Sequence, residues 1–117
     1  MLKQNLIVAR RSVVVSAAAL MLVASGLAQA GGNAAKGKEK SAVCAACHGA
    51  DGNSAAADFP KIAGQYPDYI ATTLRHYKAG KRKNPIMAPM AANLSPEDIA
   101  DLAAYFSSQT PAVHNKY

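Results

Sequence analysis

The feature that most constrains this chain is the pentapeptide Cys44-Ala45-Ala46-Cys47-His48, which contains its only two cysteines. Residues i and i+3 of a helical turn face the same side, so both thiols can reach one edge of a flat ligand. The histidine that follows can place its imidazole beneath the centre of that ligand. This spacing is typical of covalent c-type haem attachment, with Cys44 and Cys47 bound to the porphyrin and His48 as an axial ligand of the iron.

Three other interpretations of the motif fit the rest of the sequence less well. A zinc site needs about four ligands, and outside the motif the chain offers only His76 and His114, which are not in a paired ligand spacing. A thioredoxin-like dithiol needs a βαβ pattern, and the sequence shows no convincing strand. A disulfide that closes so short a loop stabilises little. The sequence therefore favours one covalently bound haem c, with iron as its metal.

The first 30 residues are typical of a secretory signal peptide. Three basic residues precede an apolar run at residues 13–27, and Ala28-Gln29-Ala30 is a small-residue cleavage site. The apolar run is short for a membrane span, which needs about 20 residues. We therefore predict a signal peptide at residues 1–30, one domain at residues 31–117 without a membrane span, and a periplasmic location. A retained signal that anchors the chain is the alternative.

Residues 31–117 are predicted to form a small all-α domain with three main helices. Asn33 is a plausible N-cap for a first helix that runs into the cysteine motif. Pro67 suits the first position of a second helix that reaches Ala79 and ends at Gly80. The segment Ser95-Pro96-Glu97-Asp98 combines a capping serine, a first-turn proline and two acids at the positive end of the helix dipole, and so begins a third helix.

Two long irregular stretches, at residues 49–66 and 81–94, are predicted between these helices. Loops of this length are uncommon in so small a domain unless they have a function, and here we expect them to wrap around the haem. Small domains are often stabilised by a cofactor, so the chain without haem is expected to fold poorly. The net charge of +6 is too scattered along the sequence to indicate a nucleic-acid partner.

A haem iron bound by one histidine has a second axial position. Beyond the predicted signal peptide the methionines are Met87 and Met90, which lie in a stretch stiffened by two prolines. Such a stretch can hold a weak thioether ligand without a large ordering cost, while the other methionine fills a gap in the core. His76, His114 or a water molecule are the other possible sixth ligands.

With these motifs the sequence resembles a class I cytochrome c, and most closely one half of the tandem two-haem cytochromes c of the bacterial periplasm. The resemblance extends over almost all of residues 31–117. It is carried by the cysteine motif, by Phe59-Pro60-Lys61, by residues 84–90 and by the last helix at residues 98–106. The single haem motif departs from the two-haem pattern and implies a carrier of one electron at a time.

The resemblance implies roles for several further residues. The Pro60 carbonyl is expected to accept a hydrogen bond from Nδ1 of His48, and Met87 is expected to be the iron ligand, with Met90 as the alternative. The first and last helices are expected to cross closely, with Gly37 against Tyr105 or Phe106.

The expected function is one-electron transport in the periplasm between respiratory or dehydrogenase partners, without catalytic residues. The expected state is a monomer. Lys81-Arg82-Lys83 precedes the methionine stretch and would steer an acidic redox partner toward the haem edge, although a solvated surface run is equally compatible with this pattern. Two alternatives remain: a haem c subunit of a larger periplasmic oxidoreductase, and an enzyme or gas sensor with an open iron position.

Overall fold

The computed structural model describes residues 31–112. Those residues form five α-helices and no β-strand. In chain order the helices are α1 (Ala34–Lys40), α2 (Ala42–His48), α3 (Pro67–Lys78), α4 (Met87–Ala92) and α5 (Pro96–Ser107). The predicted all-α fold class is confirmed, whereas the predicted signal peptide at residues 1–30 lies outside the described residues.

The first predicted helix is divided into α1 and α2 at Ser41. Asn33 caps α1 as predicted, because its side-chain oxygen accepts hydrogen bonds from the backbone N–H groups of Ala35 and Lys36. The buried hydroxyl of Ser41 donates to the carbonyl of Lys38 at 2.8 Å and competes there with the helical backbone. The expectation of one continuous helix is therefore wrong, and the chain turns just before the cysteine motif.

The loop between α2 and α3 is irregular, as predicted, and is fixed by backbone hydrogen bonds. The carbonyl of Gly52 accepts from the N–H groups of Ile62 at 2.8 Å and Ala63 at 3.1 Å, and Gly52 has a φ of 81° that favours glycine. Gly64 donates to the carbonyl of Phe106 on α5 at 2.9 Å. These bonds hold the middle of the loop against the core and bring Pro60 beside α2.

Helix α3 begins and ends close to its predicted positions. Pro67 is its first residue, and Gly80, with a φ of 70°, follows its last turn. Ile70 is buried against α5, while Leu74 and Tyr77 are only partly buried and face a cleft. The helix therefore packs on the core through Ile70, whereas Leu74 and Tyr77 face the cleft and remain partly exposed.

A short helix, α4, forms where the sequence predicted only a loop. The Asn84 side chain accepts hydrogen bonds from the backbone N–H groups of Ile86 and Met87, both at 2.9 Å, which fixes the turn before it. Pro89 is the third residue of α4, where its missing N–H removes no intrahelical hydrogen bond. The prediction of an irregular stretch at residues 81–94 is therefore wrong for residues 87–92.

Helix α5 supplies most of the hydrophobic core. Ser95 caps it as predicted, because its hydroxyl accepts from the N–H of Asp98 while the Asp98 carboxylate accepts from the N–H of Ser95. Burying a side chain such as Phe106 stabilises the fold by about 1.5–3 kcal/mol. Its apolar residues recur at helical spacing and are buried throughout; they are Ile99, Leu102, Ala103 and Phe106.

The crossing of α1 and α5 depends on Gly37. A Cβ atom at this position would lie 2.8 Å from Cβ of Tyr105 and would overlap the backbone of Asp101, so only glycine permits the approach. Beside the crossing, Nζ of Lys40 lies 2.7 Å from carboxylate oxygens of both Asp98 and Asp101. Hydrogen bonds from Lys40 hold the pKa of both carboxyl groups below its ordinary value.

Candidate haem-binding site

The cysteine motif forms the last five residues of α2. Cys44 and Cys47 are three positions apart on this helix, both are partly buried, and they are not joined in a disulfide. Burial raises the pKa of the Cys44 thiol, and the neighbouring Cys47 raises it further. The free thiol of Cys44 is therefore held in its neutral form, in a place suited to an apolar ligand.

His48 ends α2 and is fixed by the loop that follows. Its side chain is buried, with 7% exposure, and Nδ1 lies 2.8 Å from the carbonyl oxygen of Pro60. A carbonyl oxygen only accepts hydrogen bonds, so Nδ1 must donate, and in a neutral imidazole with its proton on Nδ1 the Nε2 atom has a free lone pair. The imidazole is thus oriented, in the tautomer that an axial ligand requires, by the residue that the sequence resemblance indicated.

A cleft opens beside this histidine and consists of two adjoining cavities of about 240 and 540 Å³. Ligand pockets commonly measure about 300–1,000 Å³. Six residues border both cavities and so mark the middle of the cleft: Cys44, His48, Pro60, Leu74, Tyr77 and Met87. The smaller cavity is further lined by core residues of α3 and α5, among them Ile70, Leu102 and Phe106.

The two candidate methionines differ in their relation to the cleft. Met87 is the first residue of α4, is partly buried and borders both cavities together with His48. Met90 lies one helical turn later, is 50% exposed and borders only the larger cavity. The arrangement brings Met87, rather than Met90, to the middle of the cleft that His48 borders.

Of the other possible axial ligands, His76 can be located in the structure, and it is not at the cleft. His76 lies on α3, is exposed and borders neither cavity, while His114 lies outside the described residues. Between residues 31 and 112, no group of three or more His, Cys, Asp and Glu side chains is arranged to hold a metal ion.

Sequence reasoning missed the polar end of the smaller cavity. The sequence indicates Arg82 only as part of a basic run and does not single out Tyr69, yet both line this cavity together with Lys61 and Gln65. The guanidinium carbon of Arg82 lies 5.2 Å from the centre of the Tyr77 ring. Aromatic residues at helical spacing followed by an arginine are the only signal in the sequence, and it does not by itself indicate a ligand.

These residues fit a covalently bound haem. The wall of the cleft is mainly carbon, as a flat apolar macrocycle requires, and at His48 and Met87 it offers a nitrogen and a sulfur atom, which are donors of the kind that haem iron accepts in cytochromes c. The two cysteines border the larger cavity at one side. No helix between residues 31 and 112 is long and apolar enough to cross a membrane.

Comparisons with known proteins agree with this fit. The family model for cytochrome c matches residues 34–110. Cytochrome c4 of Pseudomonas aeruginosa is 52% identical over 94 residues, which are 80% of this chain and 47% of that protein. Cytochrome c-554(548) of Halomonas halodenitrificans is 47% identical over 81 residues, which are 67% of this chain and 98% of that protein.

A third relative and a solved structure extend the comparison. The cytochrome subunit of sulfide dehydrogenase of Chlorobaculum tepidum is 38% identical over 68% of this chain and 71% of that protein. The crystal structure of reduced cytochrome c4 from Pseudomonas stutzeri superposes with a TM-score of 0.67 at 47% identity, over 70% of this chain and 48% of that chain.

The chain spans about half the length of the cytochromes c4 that it matches, and nearly the whole length of cytochrome c-554(548). The match to one half of a two-haem cytochrome is the resemblance that the sequence indicated. This family consists of electron-transfer proteins rather than enzymes, and its members bind haem through a CxxCH motif such as the one from Cys44 to His48. The chain therefore belongs to the cytochrome c family, and its cofactor is covalently bound haem c.

Proposed function

We propose that residues 31–117 are a periplasmic one-electron carrier in which Cys44 and Cys47 tether haem c and His48 and Met87 are the axial ligands of its iron. The observation that carries the proposal is that His48 and Met87 border both cavities of one apolar cleft, beside the cysteine motif. Bound haem c supplies a reversible one-electron iron couple, and His/Met ligation raises its potential.

The residues around the cleft serve electron transfer by holding the proposed iron ligands in one geometry. The 2.8 Å contact between His48 and Pro60 holds the imidazole in one orientation, and the Asn84 side chain fixes the backbone at Met87. The buried core residues Leu102 and Phe106 form part of the apolar inner wall of the cleft. A site held in this way needs little reorganisation when one electron enters or leaves.

Export is part of the same proposal. Residues 1–30 have the basic start, apolar run and small-residue cleavage site of a secretory signal peptide. We propose cleavage before Gly31, which releases the domain into the periplasm as a monomer without a membrane span. The mass of the exported protein tests this, because a retained signal adds the mass of residues 1–30.

A redox titration of the exported protein tests the proposed function. We expect a reversible one-electron transition, a sharp c-type spectrum in the reduced form, and no rapid binding of carbon monoxide, because both axial positions are filled. Rapid carbon monoxide binding by the native reduced protein would instead indicate an open iron position and favour a gas sensor or an enzyme.

A fixed haem subunit of a larger oxidoreductase is the second candidate function. It is supported by the similarity to a relative named as a cytochrome subunit of sulfide dehydrogenase. The same domain would then remain bound to a catalytic subunit. A stable complex with a dehydrogenase through size exclusion at physiological ionic strength favours the subunit, whereas a free monomer that exchanges electrons on collision favours the carrier.

Steering of an acidic redox partner is the proposed role of the exposed lysines before α4. We expect Lys81→Gln with Lys83→Gln to slow reduction by an acidic partner about threefold to tenfold at low ionic strength, because steering charges raise association rates 10- to 1,000-fold. Stopped-flow rates at about 0.01 M and 1 M salt measure this, since the Debye length falls from about 30 to 3 Å.

The control is Lys36→Gln with Lys38→Gln, which removes the same charge from exposed positions on α1 that border neither cavity. The control pair is expected to react as the unmodified protein does. Equal rates for both double variants at low salt would mean that the basic run is only a solvated surface.

A further inference from the structure

The side chain of Arg82 is exposed, but it lines the end of the cleft and contacts neighbouring aromatic residues there. Its guanidinium carbon lies 5.2 Å from the centre of the Tyr77 ring, which is a cation–π contact. Tyr69 lines the same cavity, and the nearby Arg82 guanidinium lowers the pKa of its hydroxyl. The backbone N–H of Arg82 donates to the carbonyl of His76 at 3.1 Å, which ties the residue to the end of α3.

The charges along the cleft are distributed unequally. Arg82 and Lys61 border the smaller cavity and not the larger one, whereas Asp58 borders only the larger cavity. Both cysteines border the larger cavity, and only Cys44 also borders the smaller one. The basic end of the cleft is therefore the end that contains fewer of the tethering residues.

Haem has chemistry that matches this distribution. The two vinyl groups that react with cysteines and the two carboxylate groups lie on opposite edges of the porphyrin, so a haem tethered at one side presents its carboxylates at the other. A carboxylate that is partly removed from water needs a charged or hydrogen-bonding partner. Arginine suits this role best, because its planar fork binds both oxygens of a carboxylate at once.

We propose that Arg82 binds a haem carboxylate, and that Tyr69 and Tyr77 hold the guanidinium in position for this contact. The proposal rests on the haem c cofactor and on its orientation with the vinyl edge toward Cys44 and Cys47. Arg82 then differs in function from its neighbours Lys81 and Lys83, which border neither cavity. Only these two lysines remain for the steering of partners.

The contact has a consequence for the redox equilibrium. A haem carboxylate without its cation adds an uncompensated negative charge near the iron, and this charge favours the ferric form. Removal of the Arg82 charge should therefore lower the midpoint potential. A surface lysine is screened by water and salt and has a much smaller effect.

The test compares the midpoint potentials of the haem-loaded variants Arg82→Gln, Arg82→Lys and Lys83→Gln. The Lys83→Gln variant is the control, because it removes one positive charge from the adjacent residue. We expect Arg82→Gln to shift the ferric/ferrous ratio about tenfold toward ferric, which is about 59 mV for one electron. Lys83→Gln is expected to shift it less than twofold. Arg82→Lys, which keeps the charge but loses the fork, should fall between them.

A spectroscopic measurement separates a direct contact from a general loss of charge. In proton NMR spectra of the ferric protein, the methylene groups next to the haem carboxylates should shift in Arg82→Gln and remain in place in Lys83→Gln. If Arg82→Gln yields too little protein, Tyr69→Phe is measured in its place, with a smaller decrease in potential expected.

The carboxylate contact would be overturned if Arg82→Gln and Lys83→Gln had equal midpoint potentials and unchanged methylene resonances. If both variants still bound haem and titrated reversibly, the carrier function would remain intact. A failure of the proposed function itself would be recognised by a different result. If the unmodified protein contains no haem by mass, the cofactor assignment itself fails, and the comparison of potentials is never reached.

Discussion

The double variant Cys44→Ala/Cys47→Ala is expected to leave the exported protein without covalent haem and largely unfolded. Mass spectrometry should give the bare mass of the mature chain, whereas the unmodified protein should be heavier by one haem. Far-ultraviolet circular dichroism should show most of the helical signal lost at 25 °C. The change removes only two sulfur atoms, but it disconnects the cofactor around which the domain is built.

The expected loss of structure follows from the small size of the core. The buried cluster comprises Ile70, Leu102, Ala103, Tyr105 and Phe106. Other apolar side chains, including Leu74 and Ile62, are only partly buried and line the cleft. Without a ligand in the cleft these surfaces stay in contact with water, and each apolar square ångström so exposed forfeits about 25 cal/mol. A domain of this size is marginal without such a contribution.

The control for this experiment is Lys38→Ala, an exposed position on α1 that borders neither cavity. It should be exported, loaded with haem and folded as the unmodified protein is. A double cysteine variant with native helical content and a reversible redox transition would contradict the expectation, because it would show that the fold and the haem do not depend on the thioether bonds.

The helix ends could be predicted from the sequence because the interactions that set them are local. Asn33 and Ser95 accept hydrogen bonds from N–H groups two or three residues ahead of them, and Pro67 begins α3 through its own fixed φ. The cysteine motif is local in the same sense, because helical geometry alone places Cys44 and Cys47 on one side of α2. No knowledge of the rest of the fold was needed for these features.

Two local features were nevertheless missed. The prolines before and within α4 were interpreted as stiffening a loop, but Pro89 lies in the first turn of a helix, where proline is tolerated. The sequence around Ser41 favours one continuous helix, but the Ser41 hydroxyl competes for the carbonyl of Lys38 and α1 ends there. In both cases the residue type permits two conformations, and the packing around it decides between them.

Contacts that depend on the path of a loop could not be predicted from residue patterns. The approach of Arg82 to Tyr77 and Tyr69 depends on how the chain turns after α3, and a basic run gives no indication of which cation faces the cleft. The contact between His48 and Pro60 was expected only from the family resemblance, since nothing in the spacing of twelve residues requires it. The cofactor could therefore be predicted from a short sequence motif, whereas the polar contacts around it depend on the folded chain.

Residue patterns also could not decide between Met87 and Met90 as the iron ligand. The two residues are three positions apart and both lie on α4, so residue spacing alone allows either to face the cleft. The structure distinguishes them, because Met87 borders both cavities while half of the Met90 surface is exposed. This difference makes the ligand assignment a matter for a direct experiment.

Met87→Leu is expected to remove the sixth iron ligand while leaving the domain folded, because leucine keeps most of the volume of methionine and lacks its sulfur. The ferric protein should lose the weak absorption band of methionine-to-iron charge transfer, and the reduced protein should now bind carbon monoxide rapidly. Axial ligands shift haem potentials over a range of about 0.8 V, so we expect the midpoint potential to fall on the order of 0.1 V.

Met90→Leu is the matched control, since it makes the same replacement one helical turn away on the same helix. It should keep the charge-transfer band, exclude carbon monoxide and change the midpoint potential little, because a half-exposed side chain at one cavity is not held toward the iron. The reverse outcome, in which Met90→Leu loses the band and Met87→Leu keeps it, would mean that α4 turns when haem binds and that Met90 is the ligand.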